Sequence, residues 1–276
     1  MEKSVEVVRS YWNARPCNVR HSEKPCGTKE YFDEVEARKF FVEPHLKTFA
    51  NFPSVKGKKV LEVGCGLGTT AVNFARAGAE KVVAVDLSDA SIALAKKRAE
   101  VSGCLDRMEF HTANAEELSS HLPQEQYDLI FSFGVIHHTP NPGKILTAIH
   151  PLLHAEGHLK LMVYYRYSWK VLWIILKYGK GRFWKVSELV ARYSEAQTGC
   201  PITYIYSKKE AKTLLEHHGF TVVDMTIDHI FPYRIPDYVN YRYVKVWYFR
   251  FLPKAVFRFL ERKFGWHLCI TAVAAR

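Results

Sequence analysis

Apolar residues along this chain change their period several times, and each change marks an element. Between residues 30 and 51 they fall at Phe32, Val35, Phe40, Val42, Leu46 and Phe49, which predicts a helix bent at Pro44. From Lys58 onward short apolar runs alternate with helix-like stretches. A strand at 60–63 leads into a helix over 70–77, and a strand at 81–85 leads into a helix that Ser88 caps and Gly103 closes. Strands are expected near 107–112, 127–132 and 157–165, with helices near 115–121 and 143–154 between them. This alternation predicts a parallel, doubly wound α/β sheet. Residues 166–206 fit no short connection and read as two inserted helices, 168–179 and 183–194, rich in Trp and Tyr and placed to cap a pocket. Ser207-Lys208-Lys209-Glu210 is a capping box opening a helix to His218, with Gly219 at its end. Strands at 220–228 and 268–274 follow, separated by a long segment. Residues 1–30 show no period and are expected to form an irregular polar arm.

Composition narrows the class. A chain of 276 residues with 48% hydrophobic content suits one large α/β domain: an arm and helix at 1–52, a core at 53–165, the cap at 166–206 and the rest of the sheet at 207–276. The apolar run at 171–176 is flanked by Lys170 and Lys177, and no window approaches eighteen apolar residues, so no transmembrane helix is expected. The start, Met1-Glu2-Lys3, is charged and lacks a secretory apolar region. Six scattered cysteines form no C-x-x-C pair, which predicts reduced thiols and a cytoplasmic protein rather than a disulfide scaffold. Charge is split unevenly. Residues 1–150 carry 19 Lys+Arg against 19 Asp+Glu, while 151–276 carry 20 against 9, so the second half supplies the whole net charge of +11. That asymmetry points to an anionic partner.

The most specific chemistry lies in Val60-Leu61-Glu62-Val63-Gly64-Cys65-Gly66-Leu67-Gly68-Thr69. A buried strand runs into a G-x-G-x-G turn, and a helix follows at once, so a ligand can lie against bare backbone. The next strand ends in Asp86, about twenty residues on, where a carboxylate can accept hydrogen bonds from both hydroxyls of a ribose. A dinucleotide site ordinarily shows G-x-G-x-x-G. Here Gly68 comes one residue early, and Glu62 stands two residues before the first glycine. A carboxylate there repels a pyrophosphate and favours a cationic ligand.

Glu62-Val63-Gly64-Cys65-Gly66-Leu67-Gly68 resembles motif I of the class I S-adenosylmethionine-dependent methyltransferases, whose acidic residue lies near the cationic methionine moiety. Val83-Ala84-Val85-Asp86-Leu87-Ser88 is similar to the second-strand motif. Asn114-Ala115-Glu116-Glu117 is similar to the segment that reads the adenine edge, although most of the family has Asp where Asn114 stands. Asn keeps a carbonyl for the adenine amino group. Tyr127-Asp128-Leu129-Ile130-Phe131-Ser132, followed by Phe133-Gly134-Val135-Ile136-His137-His138, resembles motif IV in its quinone-biosynthesis-type, small-molecule form. The resemblance covers roughly residues 58–163. It implies a Rossmann-like doubly wound seven-stranded sheet, parallel with one antiparallel strand, and S-adenosylmethionine as methyl donor. It also implies cofactor contacts at Glu62, Gly64, Cys65, Gly66, Gly68, Asp86, Leu87, Asn114, Ala115 and Phe133. No metal is expected, since no Asp/His/Cys group has ligand spacing along the chain.

Candidates for the acceptor side are fewer. His137 and His138 follow the fourth strand at the ligand edge and serve either as base or as supports of the loop. Arg166, in the aromatic stretch Tyr164-Tyr165-Arg166-Tyr167-Ser168-Trp169, is the cation placed to meet an anionic acceptor. Arg15, Asn18, Arg20, His21 and Ser22 form a polar stretch expected to fold over cofactor and acceptor, with His21 as a further catalytic candidate. Cys17 and Cys26 offer a thiophilic alternative. Residues 233–266 interleave aromatics with cations and read three ways: a solvated basic face, a surface lying on an anionic membrane, or, ranked third, a nucleic-acid site.

The function expected is methyl transfer to a small molecule, an anion such as a thiolate among the acceptors considered. The alternatives are a membrane-associated lipid or quinone methyltransferase, an RNA or protein methyltransferase, and a cofactor-binding module without catalysis.

Overall fold

Residues on successive positions of the central strands separate into two cores. Leu61, Val63, Val83, Val85 and Ile130 belong to one buried cluster, and Val60, Val82, Ala84, Leu129 and Phe131 to another. Side chains alternate across a strand, so the two clusters lie on opposite faces of one sheet covered on both sides. The computed structural model describes residues 4–123, 125–194 and 200–275.

In chain order the helices are α1 (Val5–Ala14), α2 (Lys29–Val42), α3 (His45–Ala50), α4 (Thr69–Arg76), α5 (Asp89–Val101), α6 (Leu118–His121), α7 (Pro142–Ile149), α8 (Trp169–Lys177), α9 (Val186–Tyr193), α10 (Lys208–His217), α11 (Ile235–Tyr238), α12 (Trp247–Arg250) and α13 (Lys254–Phe264). The strands are β1 (Lys59–Val63), β2 (Lys81–Asp86), β3 (Met108–Thr112), β4 (Tyr127–Phe133), β5 (Leu153–Tyr164), β6 (Phe220–Asp228) and β7 (His267–Ala274). Among the described residues they form one seven-stranded sheet in the order β3-β2-β1-β4-β5-β7-β6. β7 runs antiparallel to both its neighbours; the other pairings are parallel. The sheet is therefore the expected one, parallel with a single antiparallel strand. Helices α3, α4 and α5 cover one face and α6, α7 and α10 the other. Strand order reverses between β1 and β4, and the crevice at such a reversal, beyond the carboxyl ends of the strands, is where ligands bind.

Several local expectations are corrected. The first thirty residues are not irregular throughout: Ser4 caps α1, its side chain accepting the Val7 N–H. Only Val8 of that helix is buried, so it carries no apolar period to read. The helix expected over 30–51 is two helices. Glu43 leaves helical geometry (φ −120°, ψ 62°) because a residue before proline is pushed out of the α region. The helix expected to reach 154 ends at Ile149, and β5 begins at Leu153, four residues earlier than Gly157. Pro151 removes a donor there, and the β4–β5 ladder absorbs the extra length in a register shift between Tyr127 and Leu129. The two cap helices appear as α8 and α9, while residues 195–199 of the insertion, like 1–3 at the start, lie outside the described residues. The capping box forms as expected, Glu210 N–H donating to the Ser207 hydroxyl and Ser207 N–H to the Glu210 carboxylate.

Candidate active site

The turn after β1 needs its glycines for separate reasons. Gly64 has φ +79°, and a Cβ there would sit 2.1 Å from Val135 Cγ2, so the β1 and β4 turns meet only because the side chain is absent. Gly68 has φ +70° and packs against Ala95 of α5, where a Cβ would meet the Ala95 Cβ at 3.0 Å. Gly66 (φ +52°) has open space beside it, with nothing nearer to a Cβ than Cys17 at 4.0 Å. That gap is the cradle of a ligand cleft.

Asp86 ends β2 and closes the cradle from the other side. One carboxylate oxygen accepts the Gly66 N–H at 2.8 Å and the other the Ser88 N–H at 2.9 Å. Burial raises its pKa, and these backbone donors partly oppose the shift. Glu62 is 3% exposed, its Oε2 has no hydrogen-bond partner, and burial pushes its pKa up to about 8. A buried carboxyl with an unpartnered oxygen fits a cationic ligand. Asn114 accepts the Glu116 N–H at 3.1 Å through its side-chain carbonyl, so that group already serves the local turn.

One cleft gathers Glu62, Gly64, Cys65, Gly66, Asp86, Leu87, Asn114, Ala115, Phe133 and His138. Gly68 shapes the turn without lining the cleft. The N-terminal segment covers it: Val5, Val8 and Trp12 of α1, with Cys17 and Asn18, form part of the wall. Asn13 anchors that cover, its side-chain carbonyl accepting the Ser88 hydroxyl at 2.8 Å and the Ala90 N–H at 3.3 Å. Lys39 of α2 is a further lining residue that sequence reasoning missed.

Residues 54–219, more than half of the chain, match a family model described as a methyltransferase domain. The chain belongs to the class I S-adenosylmethionine-dependent methyltransferase family. It is 34% identical over 103 residues to a ubiquinone biosynthesis O-methyltransferase of Acinetobacter baumannii, a match covering 37% of this chain and 42% of that one. The match thus spans less than half the length of that relative. In fold the chain resembles magnesium protoporphyrin IX methyltransferase of Synechocystis PCC 6803, solved with bound S-adenosylhomocysteine, at TM-score 0.60 and 17% identity over 98% of this chain and 99% of that one. It also resembles geranyl diphosphate C-methyltransferase of Streptomyces coelicolor A3(2), at TM-score 0.61 and 15% identity over 98% of each chain.

Of the remaining candidates one reaches the cleft and three lie apart from it. His138 lines the cleft, and its Nδ1 is bonded to the Ile202 carbonyl at 2.8 Å. A carbonyl only accepts, so Nδ1 carries a proton and donates it there. His137 is fully buried away from the cleft, its ring tilted 44° against that of Tyr164 with centroids 3.9 Å apart, and neither ring nitrogen has a hydrogen-bond partner. Burial takes its pKa well below the usual histidine range. Arg166 pairs with Glu210 at 2.8 Å on a half-exposed surface outside the cleft, because the helix that Ser207 caps brings that carboxylate to it. His21 is hydrogen-bonded to the Tyr238 hydroxyl at 3.2 Å, also outside the cleft, and burial pushes its pKa down to about 3.

Behind Phe133 the fold assembles a polar group that no spacing announced. His267 opens β7 and pairs in register with Asp228 on one side and Tyr164 on the other. His45 Nε2 and His267 Nδ1 are 2.9 Å apart, and His45 Nδ1 lies 3.9 Å from Asp228. His229 stacks on His267 with centroids 4.5 Å apart. Burial drives the pKa of His229 down to about 3 and that of His267 well below the usual range, so both rings are neutral. Glu43 approaches with His229 and His267 until their ligand atoms lie within 4.8 Å of one another. Lys39 donates to Glu43 at 3.0 Å, and Lys170 acts on both rings as a further positive charge. Flanking ammonium groups suit a proton network better than a cation. Lys39 Nζ is 5.5 Å from the Phe133 ring centroid, which ties this network to the cleft wall.

Proposed function

We propose that this chain transfers a methyl group from S-adenosylmethionine to a small-molecule acceptor. The observation that carries the reading is the pairing of two carboxyl groups in one cleft. Asp86 is fixed by the N–H groups of Gly66 and Ser88, and Glu62 offers an unpartnered oxygen. Asp86 would hold the ribose, Glu62 the cationic methionine end, and Asn114 with Ala115 the adenine edge. When bound, the donor supplies a methyl already activated on a sulfonium. Nothing in this chemistry requires a metal.

What the protein adds is alignment and the exclusion of water. The apolar cover of Val5, Val8 and Trp12 supports a closed site. Where the acceptor arrives protonated, a base is needed. His138 suits that role by its place on the cleft wall, and the His267–His45–Asp228 array is a second route for a proton leaving the Phe133 side. Lys39 on the same wall favours an anionic acceptor, such as a thiolate or carboxylate. The methylated atom is left open among oxygen, nitrogen, carbon and sulfur.

For a partner beyond the acceptor we favour an anionic membrane over nucleic acid, on the strength of the exposed aromatic and basic side chains of the second half.

Calorimetric titration with S-adenosylmethionine and S-adenosylhomocysteine tests the donor, and a screen of small thiols and carboxylates follows it. Micromolar binding is expected. Absence of binding to both compounds would overturn the reading.

A further inference from the structure

The surface of the second half carries large apolar side chains where a soluble monomer seldom gathers them. Phe183 and Trp184 are each 69% exposed, Trp247 is 73% and Phe251 is 77% exposed. Scattered singly they would need no explanation; gathered on neighbouring elements they do.

The elements are neighbours by contact. Trp169 of α8 lies 5.8 Å from Tyr248 and 6.1 Å from Phe249 of α12, and Phe249 lies 5.5 Å from Phe257 of α13. Each longer helix is two-faced. In α8, Val171 and Ile174 are buried, whereas Trp169, Leu172 and Leu176 recur outward at helical spacing. In α13 the buried residue is Glu261, and Val256, Phe259 and Phe264 are exposed. Trp247 opens α12 and Phe251 ends it, so three helices in contact with one another all carry outward apolar residues.

Cations lie on the same helices or close to them in the chain. Lys180, Arg182, Lys254 and Arg262 have no ion pair among the described residues. Arg250 and Lys263 lie against the rings of Phe251 and Phe259. The acid on α13, Glu261, is taken up by Arg258 at 2.7 Å. Tryptophan and phenylalanine tips bordered by lysine and arginine match the boundary between acyl chains and anionic headgroups. The second half supplies the chain's whole excess of positive charge, so the match is one of charge as well as shape. Among the described residues no helix is long and apolar enough to cross a membrane.

We propose that α8, α12 and α13 seat this protein on an anionic lipid bilayer, with Trp247, Phe251 and Phe259 entering the headgroup layer and Lys254 and Arg262 meeting phosphate. This deepens the partner reading above and does not depend on the donor or the acceptor. Burying apolar tips gives attachment, and the cations give preference for negative lipid.

Flotation of the full chain with vesicles tests it, using phosphatidylcholine alone and phosphatidylcholine mixed with phosphatidylglycerol. The wild type is expected to float with the mixed vesicles, partitioning about tenfold or more above the neutral ones. Trp247→Ala with Phe251→Ala is expected to lower that partitioning about tenfold, with unchanged melting temperature and unchanged S-adenosylmethionine affinity. Lys254→Glu with Arg262→Glu is expected to remove the preference for anionic lipid. Equal partitioning of the wild type and the aromatic variant overturns the proposal. So does a dimer in light scattering that the aromatic variant dissolves, or binding to single-stranded polyuridylate that displaces the vesicles. Because the readout is partitioning, a failure here is distinct from a failure to bind the methyl donor.

Discussion

The carboxylate of Asp86 accepts the backbone N–H of Gly66 at 2.8 Å, locking the end of β2 to the middle of the glycine turn. The residue that would hold the ribose therefore also fixes the loop that cradles the ligand. Binding and loop order are coupled through one side chain.

Replacing Asp86 with Ala removes the ribose partner and releases the Gly66 N–H. The loss of two charge-assisted hydrogen bonds is expected to weaken S-adenosylmethionine binding by about 3–5 kcal/mol. Calorimetry reads this directly, and an affinity within threefold of wild type would show that the ribose lies elsewhere.

Gly64 and Gly66 should separate stability from binding. Gly64→Ala drives a Cβ to within 2.1 Å of Val135 at φ +79°, and an expected loss of about 2–5 kcal/mol follows from strain and overpacking. Gly66→Ala meets open space, so its stability cost is expected to be about 1–2 kcal/mol while ligand affinity falls, since the new methyl enters the cleft. Thermal melts and titration of both variants check the contrast.

Glu62 sets a pH dependence whose sign can be worked out. Burial raises its folded pKa to about 8, against an ordinary value of about 4.3 in the unfolded chain. Between those values the unfolded chain has released the proton and the folded one has kept it, so ligand-free stability falls as pH rises through that window. Glu62→Gln should remove this slope. A cationic donor favours the ionised carboxylate, so donor binding near pH 7 is expected to release a proton in the wild type and fewer in the variant. Calorimetry in buffers of differing ionisation enthalpy measures that release.

The adjacent histidines should behave oppositely. His137 is buried with both ring nitrogens unpartnered, so His137→Phe is expected to leave donor affinity unchanged and to raise stability by up to about 1 kcal/mol. His138→Ala loses the bond to the Ile202 carbonyl and the cleft-lining ring. For a protonated acceptor its turnover is expected to drop about a hundredfold or more while donor affinity stays within a few-fold. Equal turnover in both variants would move the base to the His267 array.

Much of the fold was legible because its strands are buried on both faces. Runs such as Lys81–Asp86 read as continuous apolar segments, and helix starts carried their own caps at Ser88 and Ser207. The glycine turn and Asp86 were legible for a related reason, since backbone approach restricts residue type locally. α1 was illegible because one buried residue makes no period, yet its Asn13 holds the cover of the cleft.

The sequence by itself determined most of the strand–helix alternation, the glycine turn with Asp86 and the division of charge, because each depends on residues within one strand–turn–helix unit or on simple counting. Tertiary structure alone decided which histidine reaches the cleft, that Arg166 turns to Glu210, and that residues 43, 45, 229 and 267 form one buried network. The last of these rests on the pairing of β7 with β5 and β6, which sets His267 opposite Asp228 and Tyr164. Pairing across more than a hundred residues is a property of the packed sheet and leaves no local period in the chain.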